Sequence, residues 1–356
     1  YGIIFGKKIE KLFMKKFLLF IGTILLIGIP CFSQTQKEYK AGCIAFYNIE
    51  NLFDTIPGEN DIEFTPTSEK KWDSEKYYQK METMASVIVE IGADFTGTAP
   101  AIVGLSEIEN KTVLEDLVRA GPIKEYNYQI VHFDGSDYRG VDCALLYRPE
   151  FFTVTHTAMH VVRTPDDPDF RTRDQLLVSG IYDGEEMHFI ILHWPSRRGG
   201  EKRSAPKRAA AAQVTRSIVD SILNINPDAK IICMGDLNDD PVDNSVKTHL
   251  NVVGTKEDAV LPKLFNPMEA LYKNGIGSLA YQDKWNLFDQ IIITPEFLNQ
   301  DKSSYRFYMA HIFNKPYLMQ KEGRYKGYPF RTFVGNTYAG GYSDHFPVYI
   351  YIIKEK

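Results

Sequence analysis

The sequence predicts a mixed α/β (α+β) protein whose sheets carry helices on their outer faces. Three observations predict it. Short runs rich in Ile, Val, Phe and Tyr, bounded by Gly, Asp, Asn or Pro, follow one another from about Tyr39 onward. These strand-like runs outnumber helical stretches by roughly two to one. Some are joined by turns too short for a helix, as at Tyr182-Asp183-Gly184-Glu185, which reads as a hairpin tip. A purely doubly wound fold would need a helix between nearly every pair of strands, so mixed sheets are predicted instead.

The strands are expected at 42–48, 101–106, 128–133, 141–147, 175–182, 187–193, 229–234, 289–294 and 346–353. Tyr77, Met81, Met84, Ala85, Ile88 and Val89 repeat at helical spacing and predict an amphipathic helix over about 74–91. A second helix is predicted over 204–224, with an Ala-rich start and Val214, Ile218, Ile222 and Leu223 on its apolar side. Shorter helices are expected at 111–120 and 243–250. Two long loops, 54–73 and 314–342, are candidates for a substrate rim. There is no internal repeat and no low-complexity segment.

The 356 residues carry 41 Lys+Arg against 46 Asp+Glu, a formal charge of -5, with 44% apolar and 24% charged residues. Such fractions exclude disordered, collagenous and coiled-coil classes. Only one long apolar run exists, which excludes a multispan membrane protein. That run, FLLFIGTILLIGI, follows Met14-Lys15-Lys16 and precedes Cys31-Phe32-Ser33. The layout is that of a signal peptide, with Met14 as the expected start and cleavage near Ser33–Gln34. The run is short for a retained anchor, and Pro30 disfavours lipoprotein processing at Cys31. Residues 34–356 are expected to form a single catalytic domain that is exported, to the periplasm or beyond, without a membrane anchor. Cleavage would remove five Lys and one Glu, leaving a chain more acidic than the whole. An acidic enzyme needs a local basic patch or a bound cation to hold a phosphate-rich substrate. Cys43, Cys143 and Cys233 lie in apolar runs and read as buried thiols, a disulfide being the alternative. No Cys/His cluster suggests structural zinc.

Several apolar runs end in polar residues. CIAFY leads into Asn48, AIVGLS into Glu107, HFIIL into His193 and KIICMG into Asp236-Leu237-Asn238, while Asp289 precedes QIIIT and Ser343-Asp344-His345 precedes FPVYIYI. Each alone reads as a cap or turn residue. Together they form a coherent set: carboxylates and amides suit Mg²⁺, Mn²⁺ or Ca²⁺, and two imidazoles suit proton transfer near neutral pH. Asp236 and Asn238 are two apart, so an extended segment would point both the same way.

The series YNIENLF, GLSEIEN, DYRGVDCALLY, LHWPSRRGG, GDLNDDP, WNLFDQIII and YSDHFPV resembles the endonuclease/exonuclease/phosphatase superfamily, which includes pancreatic-type deoxyribonuclease and exonuclease III-type enzymes. The resemblance spans about 40–352. It implies a four-layered sandwich, two mixed β-sheets face to face with helices outside, and metal-dependent phosphoester hydrolysis. Matched motif to motif, it implies Glu107, Asn48 and Asp344 as metal-side residues, with Mg²⁺ as the expected ion. It implies His345 as a catalytic histidine oriented by Asp289, and Asp236 to position or deprotonate water. Asn238 would donate to a phosphate oxygen, and His193 would bind phosphate or protonate the leaving group. Arg139 is a candidate phosphate clamp.

Other polar residues have plainer readings. Asp239 and Asp240 read as caps of the turn before Pro241, Asp142 as a strand-edge residue, and Glu109 as a solvated loop residue or a metal ligand. Asp166, Asp167 and Asp169 read as a solvated turn. His156 and His160 sit in an extended stretch unsuited to a zinc pair. Arg197, Arg198, Lys202, Arg203, Lys207 and Arg208 form a basic run directly after His193. It is either a solvated face or a phosphate-binding surface, with Arg197 and Arg198 the nearest candidates. A nucleic acid is the expected substrate of a monomeric enzyme with no protein partner. An inositol phosphate or phospholipid is the alternative, and a catalytically silent binding domain the alternative of another class.

Overall fold

The computed structural model describes residues 38–58, 63–164, 167 and 169–356. The expected signal segment, Cys31 and Asp166 lie outside them. Thirteen strands form two large sheets. In chain order they are β1 (Tyr39–Leu52), β2 (Ile102–Ile108), β3 (Gln129–His132), β4 (Asp142–Tyr147), β5 (Phe152–His160), β6 (Gln175–Tyr182), β7 (Glu185–His193), β8 (Lys230–Asp236), β9 (Val252–Val253), β10 (Leu264–Phe265), β11 (Asp289–Ile293), β12 (Arg306–Ile312) and β13 (Val348–Glu355). The first sheet has the order β12-β13-β1-β2-β4-β3 and the second β5-β6-β7-β8-β11-β10-β9.

Both sheets are mixed. β1 pairs parallel with β2, and β7 with β8, while their other neighbours run antiparallel. A parallel pair needs a crossover. The two long helices fall on those connections: α1 (Ser74–Glu90) lies between β1 and β2, and α3 (Glu201–Ile225) between β7 and β8, with a shorter α2 (Lys111–Leu117) after β2. Asp73 caps α1 by accepting from the Lys76 amide at 3.0 Å, and Asn110 caps α2 by accepting from Val113 N–H. The 182–185 turn is the expected hairpin tip, with Tyr182 paired to Glu185 and both Asp183 and Gly184 at positive φ.

Strand alternation builds four layers. Ile44 and Phe46 of β1, with Ile232 and Met234 of β8, fill the core between the sheets. Cys43, Ala45 and Tyr47 point the other way, against Met81, Met84 and Ile88 of α1. Ile231 and Cys233 likewise meet Ala211, Ile218 and Val219 of α3. Each fully buried Ile or Phe contributes about 1.5–3 kcal/mol by leaving water. Cys43, Cys143 and Cys233 are buried free thiols.

Gly235, within GDLND, has a packing reason. A Cβ there would lie 2.1 Å from the Leu192 carbonyl oxygen and 2.5 Å from the Leu192 Cβ. The obstacle is the backbone of the neighbouring parallel strand, which cannot swing aside. Gly235→Ala is expected to lower unfolding free energy by about 3 kcal/mol, at the upper end for overpacking, read from urea denaturation followed by circular dichroism.

Candidate active site

Sheet direction gathers the polar residues. The parallel strands β1, β2, β7 and β8 end at one rim, and the antiparallel β11 and β13 begin there. Register then sets neighbours: His193 pairs with Asp236 across β7 and β8, and Asp236 with Asp289 across β8 and β11. Three site residues thus stand in one row across three strands.

Asp236 is the hub. Its Oδ2 accepts from Asn48 Nδ2 at 3.1 Å and lies 3.5 Å from His193 Nε2 and 3.9 Å from His345 Nε2. His345 Nδ1 sits 2.6 Å from Asp289 Oδ2, which also accepts from the Ser278 hydroxyl. Ser343 steadies the turn before β13: its hydroxyl donates to the Asn48 carbonyl at 2.7 Å and accepts from the His345 amide at 3.1 Å. Glu107 adopts a left-handed backbone (φ 65°), as do Glu50, Asn51 and Asn238. Non-glycine residues held there store strain, which concentrates at functional sites. Glu107 Oε2 accepts from the Asn51 amide at 2.9 Å, and Oε1 lies 3.9 Å from His193 Nε2 and 3.7 Å from Arg139 Nη1.

The two histidines are driven apart. Burial, reinforced by Arg173 and Arg139, pushes His193 well below the ordinary range, which favours its uncharged ring. Burial acts on His345 in the same direction, but Asp289, Asp236 and Asp344 outweigh it and hold the imidazolium well above that range. Burial raises Asp236 to about 6, against the pull of His345. Beside this centre Lys80 is buried: burial lowers it to about 8, opposed by Glu50, Asp344 and Glu107, while its Nζ donates to Thr332 Oγ1 and to the Tyr342 carbonyl.

The donor set fits a hard divalent cation. Glu107 Oε1 faces the centre beside the His193 and Arg139 nitrogens, and the Asn48 amide oxygen, which accepts from the Glu50 amide at 3.0 Å, adds a second oxygen donor to the set. Asp289, His345 and Asp236 also place one ligand atom each within 4.8 Å of one another, but there the close Asp289–His345 contact occupies the imidazole Nδ1.

An endonuclease/exonuclease/phosphatase family model matches residues 43–354. The chain belongs to that family. Among solved structures, truncated TDP2 of Caenorhabditis elegans superposes with a TM-score of 0.53 at 15% identity, covering 88% of this chain and 97% of that one. The Bacteroides thetaiotaomicron mannosyl-6-phosphatase Bt3783 gives 0.53 at 18% identity, with coverage of 87% and 99%. The human Nocturnin catalytic domain gives 0.52 at 14%, with coverage of 90% and 98%. At these identities the likeness is one of fold. No curated protein matches.

Members of the family are hydrolases acting on phosphoester bonds, and this chain carries its polar residues on one rim. Asn48, Glu107, His193, Asp236, Asp289 and His345 come together there. Asp344 stands beside them, its Oδ1 3.9 Å from His345 Nε2, and forms an ion pair with Arg331. Arg139 reaches Glu107 from a cleft of about 510 Å³ that also includes Arg198, Arg331 and Asp344. Both long loops contribute to that cleft, through Phe64 and Lys70 and through Thr332 and Phe333.

Two expectations need correction. The chain is not extended from Asp236 to Asn238. Asn238 turns left-handed (φ 51°), so its amide N–H returns to Asp236 Oδ1 at 2.9 Å and its Nδ2 donates to the Trp194 carbonyl at 2.9 Å. Arg197, expected among the phosphate-binding residues, has its guanidinium engaged by the protein itself. Its guanidinium donates to the Asn238 carbonyl, Glu201, Asp239 and Asp243, so it pins the loop after β8. Arg208, also in the basic run, is fully buried against Asp239 at 2.7 Å. Sequence reasoning missed Arg173, Asp137 and Ser278. Arg173 and Asp137 are buried with 3.3 Å between them, and Arg173 also donates to the Trp194 carbonyl, so it braces the strand end that carries His193. Asp137 opens the DYRGVDCALLY motif, whereas Arg173 and Ser278 sit in no motif that marks them.

Proposed function

We propose that this chain is a divalent-metal-dependent phosphodiesterase acting on nucleic acid, DNA or RNA. The observation that carries the proposal is the Asp289–His345 pair facing Asp236 across the rim, with His193 on the other side of Asp236. Glu107 and Asn48, with Asp344, would hold the ion, Mg²⁺ or else Mn²⁺ or Ca²⁺. Such an ion would neutralise charge on the phosphate and support the departing oxygen.

The residues supply the rest. Asp236 orients the attacking water and takes its proton, as its elevated pKa suits. Asp289 fixes the ring orientation of His345 through Nδ1, leaving Nε2 aimed at the reacting group. His193 turns Nε2 toward the carboxylates of Asp236 and Glu107, so its uncharged ring carries the proton there and can donate it in a hydrogen bond to a phosphate oxygen or to the leaving oxygen. Arg139 and Arg198 face the cleft and can each grip a phosphate oxygen. Nucleic acid is favoured by the cations that line this cleft and its neighbour. The basic lead and apolar run of residues 14–29 support export, which would give a mature N-terminus near Gln34 by mass spectrometry.

The expected result is hydrolysis of bis-p-nitrophenyl phosphate that EDTA abolishes and Mg²⁺ or Mn²⁺ restores, together with nicking of plasmid DNA or cleavage of RNA. Release of inorganic phosphate from an inositol phosphate without any nicking would move the enzyme to the phosphomonoesterase reading. No hydrolysis of any of these would leave a binding domain.

A further inference from the structure

A second cleft, of about 600 Å³, opens beside the first, and Tyr138, Arg139 and Arg198 belong to both. Its other wall carries Arg171, Arg203 and Lys207. The basic run therefore divides: Arg197 and Arg208 turn to the loop carboxylates, while Arg198, Arg203 and Lys207 border this cleft. Lys207 lies 3.9 Å from Asp167, whereas Arg198 and Arg203 have no carboxylate partner among the described residues. Among the described residues Arg198 donates to the Tyr138 hydroxyl, at 3.0 Å. Two uncompensated guanidinium groups in a concavity favour an anion.

Two further features point the same way. The 25-residue helix α3 begins at this cleft, and its N-cap Gly200 supplies no side-chain cap. Ser204 N–H makes the first intrahelical bond, to the Gly200 carbonyl, so the preceding amides present their hydrogens at the positive end of the helix. Thr172, also on the cleft wall, is 1% exposed, and its hydroxyl has no hydrogen-bond partner among the described residues. A buried hydroxyl without a partner is costly unless a ligand completes it.

We propose that this cleft is a second anion subsite, so that the substrate carries a phosphate flanking the one hydrolysed. Arg139 spans the two subsites. The proposal rests on the phosphodiesterase reading and narrows it to substrates with at least two phosphates, either a nucleic-acid strand or a small diester that carries a second phosphate.

The test removes charge far from the chemistry, with R171A/R203A, and compares three substrates in the full-length enzyme. Turnover of bis-p-nitrophenyl phosphate, which has one phosphate, is expected to stay within about twofold. KM for a single-stranded hexanucleotide is expected to rise about tenfold, and the slope of log affinity against log salt to fall by about 0.7 for each phosphate left unneutralised. The small bisphosphate thymidine 3′-phosphate 5′-(p-nitrophenyl phosphate), which joins one scissile diester to one flanking phosphate, separates the sources: a KM shift on the hexanucleotide alone means a strand, and a shift on both means any flanking phosphate. A shift on the bisphosphate alone means a small substrate. Unchanged KM on both, or an equal loss on all three, overturns the subsite. Should the double variant fold poorly, Lys207→Gln repeats the comparison. Hexanucleotide binding to D236N in EDTA, read by fluorescence anisotropy, tests the cleft without turnover, so a failure of the catalytic reading is told apart from a failure of the subsite.

Discussion

His345→Ala is expected to lower kcat on bis-p-nitrophenyl phosphate by about 10²-fold or more, with KM little changed. The reason lies in what the ring does at two atoms. Nδ1 is engaged by Asp289 at 2.6 Å, and Nε2 faces Asp236 at 3.9 Å, where the reacting group would pass. Asp289→Asn leaves the ring in place but offers an amide in place of the anion that holds His345 charged. It should reproduce most of the loss and move the pH profile of kcat/KM to lower pH, because the largest carboxylate influence raising His345 is gone. The measurement is steady-state kinetics across pH, with circular dichroism to confirm folding. An H345A enzyme that turns over at the wild-type rate would remove His345 from the mechanism.

The second large effect is expected at Glu107. Glu107→Gln keeps shape and volume but removes the charge. Oε1, which stands near His193 and Arg139, would no longer neutralise a bound cation. The apparent metal requirement should rise by about 10-fold or more, and kcat at ordinary Mg²⁺ should fall by a comparable factor. Titration of activity against Mg²⁺ reads the first, and isothermal calorimetry with Mn²⁺ reads metal affinity without catalysis. If metal affinity is unaltered, Glu107 does not hold the ion. The left-handed backbone at this position bears on the choice of replacement. Gln keeps the Cβ and leaves that strain where it is, so a change in kinetics reports the charge.

Much of this is legible in the sequence. β1, β6, β8 and β13 are buried on both faces, so their apolar runs stand out, and the polar residues at their ends mark the rim. β12 escapes notice because it is an edge strand, partly exposed along its length, with no clear alternation in RFYMAHI. β5 reads only as extended, its Thr and His residues interrupting the apolar pattern. Among the site residues, the strand-end set is readable because sheet direction brings such ends together. Arg197 misleads because its partners Asp239 and Asp243 come from a loop more than 40 residues away, and a run of charge gives no hint of which members turn inward. Arg331, which pairs with Asp344, and Ser278, which supports Asp289, lie in loops whose paths follow from tertiary packing alone.

The rim also governs how the enzyme should fail. Asn48 and Glu107 come from one sheet, His193, Asp236 and Asp289 from the other, and the inter-sheet core lies directly beneath them. No half of the sandwich owns a working set. Heat or denaturant that parts the sheets must extinguish turnover at the same midpoint at which the secondary structure melts, so residual activity in a stressed sample counts intact molecules and not partly opened ones.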